Sequence, residues 1–534
     1  MFRNRTLLNL AMRLGLSATM LTAFGCSSLP SASRAQKPAS TAVQPRRGIV
    51  DEAFVATSPD PKLSAFHMLP VGVDGLAARL ELIDAASSAL DLQYYIFRGD
   101  ESGTLVARAL LRAADRGVRV RVLLDDGDTL PGDERLFALA AHPLIEIRVF
   151  NPFDYRGHVG PLRALDFMLH KHRLDHRMHN KLMVADNGFA LIGGRNIGNQ
   201  YFQIDPDSQF GDDDVAVYGP VVQTLSGVFD LFWNSEQAVP VIAIDHRNTS
   251  GEALSRFRRA LLDGEHQTAF EHELESRIES GEPLLNMTTG RDPMLWSKAR
   301  LVYDSPDKGA IIDGVASGKL IYAAVEQRAA DVRHELLMIT PYFVPAPADL
   351  SLLERERERH VSVRILTNSL ESAPNLAAQS GYTHYRLQLL AAGVALHEIR
   401  ASPEAVQGTG QPRSISRYGN YGLHAKLYVF DRESIFVGSM NFDQRSKRLN
   451  TEIGLIIDSA AMSAATARRF ESLTQLSNSY AVSLGHAGNG TTPQLTWTTE
   501  HEHVVTEYTT EPARNRWQRW RMTLLSWLPL DGEL

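Results

Sequence analysis

The sequence predicts an α/β protein made of two similar halves, each a mostly parallel β-sheet flanked by helices, packed about a pseudo-twofold axis. Two observations support this prediction. Four sequence landmarks recur in the same order at offsets of 243 to 249 residues, which indicates an internal duplication. In each half, short apolar segments alternate with segments of helical periodicity, which is typical of the strands and helices of a layered α/β fold.

Three of the landmarks are predicted apolar strands and the fourth is a polar motif. Helices are predicted at 75–87 and 103–114, on either side of the first strand. The corresponding segments are 90–97 with 336–343, 117–124 with 360–367, 145–150 with 394–399, and 179–196 with 424–441.

The composition is that of a globular protein and excludes several classes of function. Of the 534 residues, 44% are hydrophobic and 22% are charged, so the bulk of the chain is expected to fold. The formal net charge of −7 disfavours nucleic acid as a partner, because the chain has no overall basic field. A single cysteine excludes an internal disulfide and a cysteine-based zinc site.

The N-terminal segment is predicted to be a cleaved signal peptide. Three arginines accompany a short apolar run, Leu14–Phe24, that is too short to span a bilayer. The run leads to Cys26 in a Gly-Cys-Ser-Ser context that resembles the lipobox of bacterial lipoproteins. Cys26 is therefore a candidate lipidation site, the alternative being a residue of the discarded leader. The chain is expected to be exported and lipid-anchored to a membrane, facing the periplasm.

Six segments make up the expected domain organisation, in which a Ser-, Ala- and Pro-rich tether joins the anchor to the two halves. The segments are the signal peptide 1–26, the flexible tether 27–50, the first half 51–244, a helical insertion or connector 245–298, the second half 299–480, and a C-terminal extension 481–534.

Each half contains the pattern H-x-K-x4-D, followed at the same distance by G-[GS]-x-N. One such pattern is expected by chance with odds on the order of a few per cent, whereas two copies at equivalent positions of a duplication indicate a site. The first copy comprises His179, Lys181, Asp186 and Asn196, and the second comprises His424, Lys426, Asp431, Ser439 and Asn441.

The spacing of the motif places its polar groups on one side. Residues i and i+2 of a strand point to the same face, so each histidine and lysine should share a pocket. If the halves pack with their motifs together, two imidazoles, two lysines and two asparagines form a phosphate site that needs no metal or cofactor. One neutral imidazole can attack phosphorus to form a phosphohistidine, and the other can act as general acid and base. The lysines offset charge on the phosphoryl oxygens.

This pair of motifs resembles the phospholipase D superfamily over about residues 65–460, and most closely the bacterial cardiolipin synthases of the C type. Segments 177–198 and 441–452 resemble the two motifs of that group, and 511–529 resembles its C-terminus. The resemblance implies an enzyme that moves a phosphatidyl group from one phospholipid to the glycerol hydroxyl of phosphatidylglycerol. Phosphatidylglycerol and phosphatidylethanolamine are then the expected phospholipid partners, at a membrane surface.

The resemblance also assigns roles to the two histidines. In the superfamily the first-motif histidine is usually the nucleophile, which implies His179, with His424 as the general acid and base. The near symmetry of the motifs leaves the reverse assignment open.

An acid downstream of each motif orients an imidazole in the superfamily, often in the opposite half. This implies Glu452 in the second half and Asp212 in the first, with Asp214 as the alternative to Asp212. The motif aspartates Asp186 and Asp431 are counted with the catalytic set, although a structural role at the strand end is the favoured interpretation.

Three other functions use the same or similar residues. A hydrolase would use water as the acceptor, a periplasmic nuclease would cleave nucleic acid, and a non-catalytic module would bind without reacting. The net acidic charge disfavours the nuclease, and two intact motifs disfavour the module. A metal at His172, Asp175, His176 and His179 is also disfavoured, because no such cluster recurs in the second half.

The C-terminal segment predicts an amphipathic helix. Its aromatic face suits a membrane interface, and packing of that face on the protein core is the alternative. The apolar residues are Trp517, Trp520, Leu524 and Trp527 or Leu528, and the neighbouring basic residues are Arg514, Arg516, Arg519 and Arg521.

Overall fold

A computed structural model describes residues 39–42, 58–127, 133–155, 160–205, 207–245, 248–263, 283–404, 421–486 and 493–527. The predicted signal peptide, Cys26 and most of the expected tether lie outside these residues. The stretch 39–42 within that tether is bound to the first half, where the Ser40 amide donates to Asn234 and the Trp233 indole donates to the Ser40 hydroxyl. No helix in the described ranges has both the length and the apolar character needed to cross a membrane.

The first half contains the strands β1 Ser64–Leu69, β2 Ala89–Tyr94, β3 Arg119–Asp125, β4 Ile145–Phe150, β5 Leu182–Ala185, β6 Phe189–Gly193, β7 Gln209–Gly211, β8 Asp214–Tyr218, β9 Ala238–Pro240 and β10 Leu295–Ser297. All of them except β7 form one large sheet with the strand order β10-β1-β8-β6-β5-β2-β3-β4-β9. Its helices are Gly72–Ala85, Glu101–Asp115, Gly160–Leu169, Lys171–Leu174, Pro220–Trp233 and Val241–Ile244, with 3₁₀ helices Asp133–Ala141 and Asn199–Phe202.

The segment expected as an insertion or connector packs on the first half. Its helix Gly251–Asp263 contacts the 3₁₀ helix Asp133–Ala141, and its helix Pro283–Thr289 contacts Gly72–Ala85. The segment ends in β10, which pairs with β1 at the edge of the first sheet.

The second half repeats the plan with the strands β11 Ala299–Tyr303, β12 Glu335–Ile339, β13 Ser362–Asn368, β14 Ala395–Ile399, β15 Tyr421–Leu423, β16 Leu427–Phe430, β17 Ser434–Gly438, β18 Ile453–Ile457, β19 Ser479–His486, β20 Pro493–His501 and β21 Val504–Tyr508. All of them except β15 form one sheet with the strand order β11-β18-β17-β16-β12-β13-β14-β19-β20-β21. Its helices are Lys308–Ile312, Ile321–Ala330, Pro347–Glu358, Leu376–Ala391, Gln444–Arg448, Ala460–Leu473 and Arg516–Leu525.

The predicted α/β class with two similar halves is confirmed, but the sheets are mixed rather than mostly parallel. Parallel pairing within them is confined to β2-β3-β4 and β12-β13-β14, where helical segments cross between strands. The motif strands form the antiparallel hairpins β5-β6 and β16-β17. The reason is the length of the turns, since a turn as short as 186–188 can only reverse the chain.

The two halves share a hydrophobic core next to the motifs. One cluster of buried side chains draws on the hairpins of both halves, so their packed faces fix the motifs relative to each other. It includes Leu182, Ile192 and Val217 from the first half, and Leu427, Val437 and Leu455 from the second.

Each motif is also held by backbone contacts to the opposite half. Strand β7 pairs in parallel with β15, and Gly211 accepts a hydrogen bond from the His424 amide at 2.7 Å. In the equivalent place, Met178 forms a parallel bridge with Thr451, which accepts from the His179 amide at 2.9 Å. The exchange of backbone bonds in both directions is what a pseudo-twofold arrangement requires.

The motif aspartates lie at the opposite ends of the motif strands from the histidines. The Asp186 carboxylate accepts hydrogen bonds from the backbone amides of 87–89 at 2.7 to 2.9 Å. Asp431 accepts from the amides of 333–335 at 2.7 to 3.0 Å. These contacts favour the structural interpretation over inclusion in the catalytic set, because a four-residue strand separates each aspartate from its motif lysine.

Replacing Asp431 with alanine should lower stability and leave catalysis nearly intact. Three backbone amides lose a charged acceptor, so we expect the free energy of unfolding to fall by about 2 kcal/mol. Urea denaturation measures this loss, with Asp458→Ala as the control because Asp458 is an exposed residue of the same half. A turnover rate that collapses while the protein remains folded would contradict the structural role.

Candidate active site

The two motif histidines lie just before β5 and β16, at one end of each hairpin. His179 and His424 are 7% and 6% exposed, and both motif lysines are 1% exposed. The Lys181 ammonium donates to the His179 carbonyl at 2.6 Å, and Lys426 donates to the His424 carbonyl in the same way. Each lysine thus lies beside its histidine, as the i, i+2 spacing predicts, although both residues precede the strand rather than lie within it.

Each imidazole bonds a carboxylate from the opposite half. The Nδ1 atom of His179 lies 2.9 Å from Glu452 Oε2, and Nδ1 of His424 lies 2.5 Å from Asp212 Oδ2. Asp214, the alternative to Asp212, instead pairs with buried arginines. With the proton on Nδ1 shared with a carboxylate, each ring has its lone pair on Nε2, and on His424 the Lys426 ammonium lies 3.3 Å from that atom.

Glu452 is set in a polar network that the sequence does not reveal in full. Its carboxylate accepts from the hydroxyls of Ser439 at 2.5 Å and Ser446 at 2.8 Å. Its amide donates to Asp304, which the buried Lys308 ammonium also contacts at 2.8 Å. Ser439 is a predicted site residue, whereas Asp304 and Lys308 are distant in sequence and belong to no motif.

Asp212 is held by a tighter arrangement in the first half. Its Oδ1 accepts from the Asp213 amide at 2.8 Å. A Cβ atom at Gly194 would lie 2.1 Å from the same oxygen, so only glycine fits there. Arg195, fully buried beside Gly194, donates to the Asp212 carbonyl. The glycine of the first motif therefore gives the carboxylate room to reach His424.

Aromatic rings flank both imidazoles. Phe210 stacks on His424 at a centroid distance of 5.2 Å, and Tyr201 packs edge-on at 5.3 Å. Tyr95 packs edge-on against His179 at 5.1 Å. These rings restrict the orientation of the imidazoles. Their contacts depend on tertiary packing, which explains why no spacing in the sequence indicates them.

Asn196 lies three residues after β6, and Asn441 lies three residues after β17. Both asparagines are therefore at the same ends of the motif hairpins as the imidazoles. The side-chain oxygen Oδ1 of Asn196 accepts a hydrogen bond from the Ile96 backbone amide at 3.2 Å. Its Nδ2 atom and the Oδ1 atom of Asn441 are buried without a hydrogen-bond partner among the described residues. A buried amide donor without a partner suits an anionic oxygen of a ligand.

Both imidazoles are neutral at neutral pH. Burial, followed by the charges of Lys181 and Lys426, lowers the pKa of His179 well below its ordinary value. Burial and Lys426 lower the pKa of His424 to about 3, against the opposing effect of Asp212. A neutral imidazole is the form that can attack phosphorus.

The lysines and carboxylates are shifted by the same burial. Burial lowers the pKa of Lys426 to about 8, although the carboxylates of Asp212 and Glu452 oppose it. It lowers the pKa of Lys181 well below the ordinary value, again against Glu452. Burial raises the pKa of Glu452 to about 7, whereas at Asp212 the Lys426 ammonium and the hydrogen bond from His424 outweigh burial and hold the pKa below its usual value.

The histidines upstream of the first motif do not gather with Asp175 around a common point. Asp175 pairs with Arg445 of the second half at 2.9 Å, and Nδ1 of His176 faces the Leu449 carbonyl at 3.1 Å. These contacts tie the loop to the opposite half. Among the described residues, the acid and imidazole side chains close enough together to share an ion are Asp154, Asp166 and His170.

Comparison with known proteins places this geometry in context. The family described as "Cardiolipin synthase, PLD-like domain" matches twice, over residues 80–233 and 327–474. Cardiolipin synthase C of Escherichia coli (strain K12) is 35% identical over 89% of this chain and 97% of its own length. The major cardiolipin synthase ClsA of Bacillus subtilis (strain 168) is 26% identical over 72% and 64%. The crystal structure of a phosphatidylserine synthase from Haemophilus influenzae Rd KW20, 13% identical, has a TM-score of 0.52 over 79% of this chain and 91% of that one, which shows a shared fold.

Proposed function

Because the chain belongs to the cardiolipin synthase family of phospholipase D-like proteins, we propose that it is a phosphatidyltransferase that forms cardiolipin. A phospholipid provides the phosphatidyl group, and phosphatidylglycerol accepts it through its glycerol hydroxyl. Phosphatidylglycerol or phosphatidylethanolamine serves as the donor.

One observation carries the proposal. Two neutral imidazoles, each bonded through Nδ1 to a carboxylate of the other half, share a buried site with two lysines. The charge of Lys426 acts on His179 and that of Lys181 acts on His424, so the two motifs lie within electrostatic reach of each other. Such a set offers a nucleophile, a proton donor and acceptor, and cations for a phosphodiester.

In the first step, Nε2 of His179 attacks the phosphorus of the donor lipid. The bond between phosphorus and the head-group oxygen breaks, and His424 gives that oxygen a proton. The product is a phosphatidyl-histidine, whose positive ring Glu452 stabilises. A phosphodiester is an anion, so its binding raises the pKa of His424 and permits the imidazole to hold the proton.

In the second step, His424 takes the proton of the acceptor hydroxyl, and the resulting oxygen attacks phosphorus. The bond between phosphorus and His179 breaks, which releases cardiolipin and restores the neutral ring. Lys181, Lys426 and the amide of Asn196 bind the phosphoryl oxygens in both steps. The reaction conserves phosphodiester bonds, so it requires no nucleotide.

With a phosphodiester whose leaving group departs as a stable anion and so needs no proton from His424, the pH dependence of kcat/KM should be bell-shaped, with limbs set by Glu452 and Lys426. Glu452 must be ionised, and its pKa of about 7 means that activity falls as the pH drops through this value. Lys426 must be protonated, and its pKa of about 8 means that activity falls as the pH rises through this value. Steady-state rates between pH 5 and about 10 test this. In Lys426→Arg the alkaline limb should move upward by more than about one pH unit. A limb that moves only in Lys181→Arg would contradict the assignment, because burial lowers the pKa of Lys181 as well.

The decisive experiment supplies purified protein with phosphatidylglycerol, with and without phosphatidylethanolamine, and resolves the products by mass spectrometry. Cardiolipin with release of glycerol or ethanolamine is expected. Phosphatidic acid alone would identify a hydrolase that uses water as the acceptor. Cleavage of plasmid DNA that His179→Ala abolishes would identify a nuclease instead.

The mature protein is further proposed to be exported and lipid-anchored through Cys26, facing the periplasm. The lipobox-like sequence before this cysteine supports the proposal. Mass spectrometry of the N-terminus of protein isolated from membranes tests it. A diacylglyceryl-modified Cys26 is expected, and an unmodified cysteine or another N-terminus would overturn the proposal.

A further inference from the structure

The C-terminal helix Arg516–Leu525 exposes its tryptophans instead of burying them. Trp517, Trp520, Leu524 and Trp527, here called the tryptophan ridge, are 63%, 51%, 40% and 76% exposed. The rings of Trp517 and Trp520 stack at a centroid distance of 4.6 Å. Trp517, Trp520 and Leu524 lie along one side of the helix by their spacing, and Trp527 comes two residues after the helix ends. The ridge is thus an exposed and mostly aromatic surface.

The opposite side of this helix fixes it to the protein. Met522 is its buried residue, and the helix packs against Leu376–Ala391. The Gln518 side chain donates to the Leu370 carbonyl at 2.7 Å, and His384 contacts the Ser526 carbonyl at 3.1 Å. The sequence-based alternative, in which the aromatic face packs on the core, is therefore wrong: the helix does pack, but through its other face.

Cationic side chains border the ridge. Segment 514–527 contains four arginines and no acidic residue. Arg516 and Arg521 are exposed, lie on either side of the ridge by helical position, and have no ion-pair partner among the described residues. An apolar strip with cations on both borders complements a surface that is apolar inside and anionic at its face.

We propose that the tryptophan ridge docks the protein on the surface of an anionic phospholipid membrane. Tryptophan rings bind the interfacial region of a bilayer, where one edge of the ring is apolar and the other wet. Exposed arginines at the border add attraction to anionic lipids, about fivefold in affinity for each cation near the surface. This inference rests on the proposed function, which requires the enzyme to reach lipid substrates.

The helix lies close to the catalytic end of the second half. Leu370, whose carbonyl accepts a hydrogen bond from Gln518 of the helix, follows β13. Asn368, at the end of β13, bonds both the amide and the carbonyl of Leu423, at 2.8 and 2.9 Å. His424 is the next residue. Docking through the ridge would therefore hold the membrane surface near the site that must take lipid from it.

Tryptophan fluorescence of the full chain can test the proposal directly. Three of the six tryptophans form the ridge, while Trp233 and Trp497 are buried and Trp296 is half-buried. Vesicles of equal parts phosphatidylglycerol and brominated phosphatidylcholine should therefore quench about half of the emission. Vesicles of brominated phosphatidylcholine alone should quench much less. Because quenching requires contact with the ridge, the readout is independent of any anchor at the N-terminus.

Substitution identifies the surface. The triple variant Trp517→Ser/Trp520→Ser/Trp527→Ser should lose at least about tenfold in vesicle affinity by co-sedimentation. Arg516→Gln/Arg521→Gln should keep the ridge but lose affinity for anionic vesicles in a salt-dependent way. Met168→Ser/Val315→Ser removes exposed apolar side chains elsewhere, 74% and 79% exposed, and should bind as the wild type does. Thermal unfolding midpoints equal to that of the wild type establish that the variants are folded.

Several outcomes would overturn the inference. The first is wild-type emission that vesicles do not quench, and the second is a triple variant that binds vesicles with the affinity of the wild type. The third is a dimer in lipid-free solution that the triple variant does not form, because this result would assign the ridge to a second copy of the chain. His179→Asn should bind vesicles normally while making no cardiolipin. Failure of docking and failure of the proposed chemistry are therefore separately visible.

Discussion

Replacing His179 with asparagine should lower the rate of cardiolipin formation by about a thousandfold or more. The ring supplies the atom that bonds phosphorus, and the asparagine amide has no comparable nucleophile. The substitution keeps a polar side chain of similar size next to Glu452, so we expect the protein to fold. Steady-state product formation by mass spectrometry measures the loss.

Comparison of His179→Asn with His424→Asn can separate the roles of the two histidines. A phosphodiester whose leaving group departs as a stable anion needs no general acid in the first step. With such a substrate His424→Asn should still form the phosphoenzyme, seen as an initial burst of leaving group, and then stall. His179→Asn should give no burst. The opposite pattern would make His424 the nucleophile.

A matched control is available for both variants. His503 is 99% exposed in its side chain and distant in sequence from either motif, so His503→Asn should retain wild-type rates. If all three asparagine variants lose activity equally, the loss reflects general damage. If His179→Asn retains activity, His179 is not the residue that forms the phosphohistidine.

The elements of the fold that follow local sequence rules could be predicted, and those that depend on tertiary contacts could not. The duplication and the helix at 103–114 are local patterns, and the structure has a helix at Glu101–Asp115. The proportion of parallel strands was predicted wrongly, because an apolar strand has the same pattern in either direction. Pairing direction depends on the connections between strands, and the motif hairpins reverse the chain.

The residues of the candidate site also fall into two groups, those that local spacing predicts and those that tertiary contacts bring together. The proximity of His179 and Lys181 follows from their i, i+2 spacing just before β5, whereas the pairing of His179 with Glu452 joins residues 273 positions apart. The superfamily resemblance, not the physics of the local sequence, implied that pairing. Asp304 and Lys308 support Glu452 only through the assembled second half, so no sequence pattern indicates them.

The two halves differ at the position after the first motif glycine, and the structure gives a reason. In the second half this position is Ser439, whose hydroxyl donates to Glu452. In the first half it is Gly194, and the shorter acid Asp212 occupies the space that a side chain would need. Serine and glycine are thus each matched to the carboxylate they face.

Replacing Gly194 with alanine should therefore lower kcat for cardiolipin formation by about a hundredfold, because the new Cβ displaces a carboxylate that orients His424. The Cβ would lie 2.1 Å from Asp212 Oδ1 and 2.8 Å from its Cγ, so the buried acid must move as a whole. The loss should appear in steps that need His424. The burst of leaving group from an activated phosphodiester should therefore fall by less than about tenfold while lipid transfer falls much further.

Gly227→Ala is the matched control, since a Cβ there meets nothing within 4 Å and the residue lies in the helix Pro220–Trp233. It should preserve activity and add slightly to stability, because alanine is the better helix former. Thermal unfolding of Gly194→Ala separates a misplaced acid from a misfolded half. A folded Gly194→Ala enzyme with wild-type lipid transfer would show that catalysis by His424 does not depend on the present position of the Asp212 carboxylate, which the new Cβ must displace.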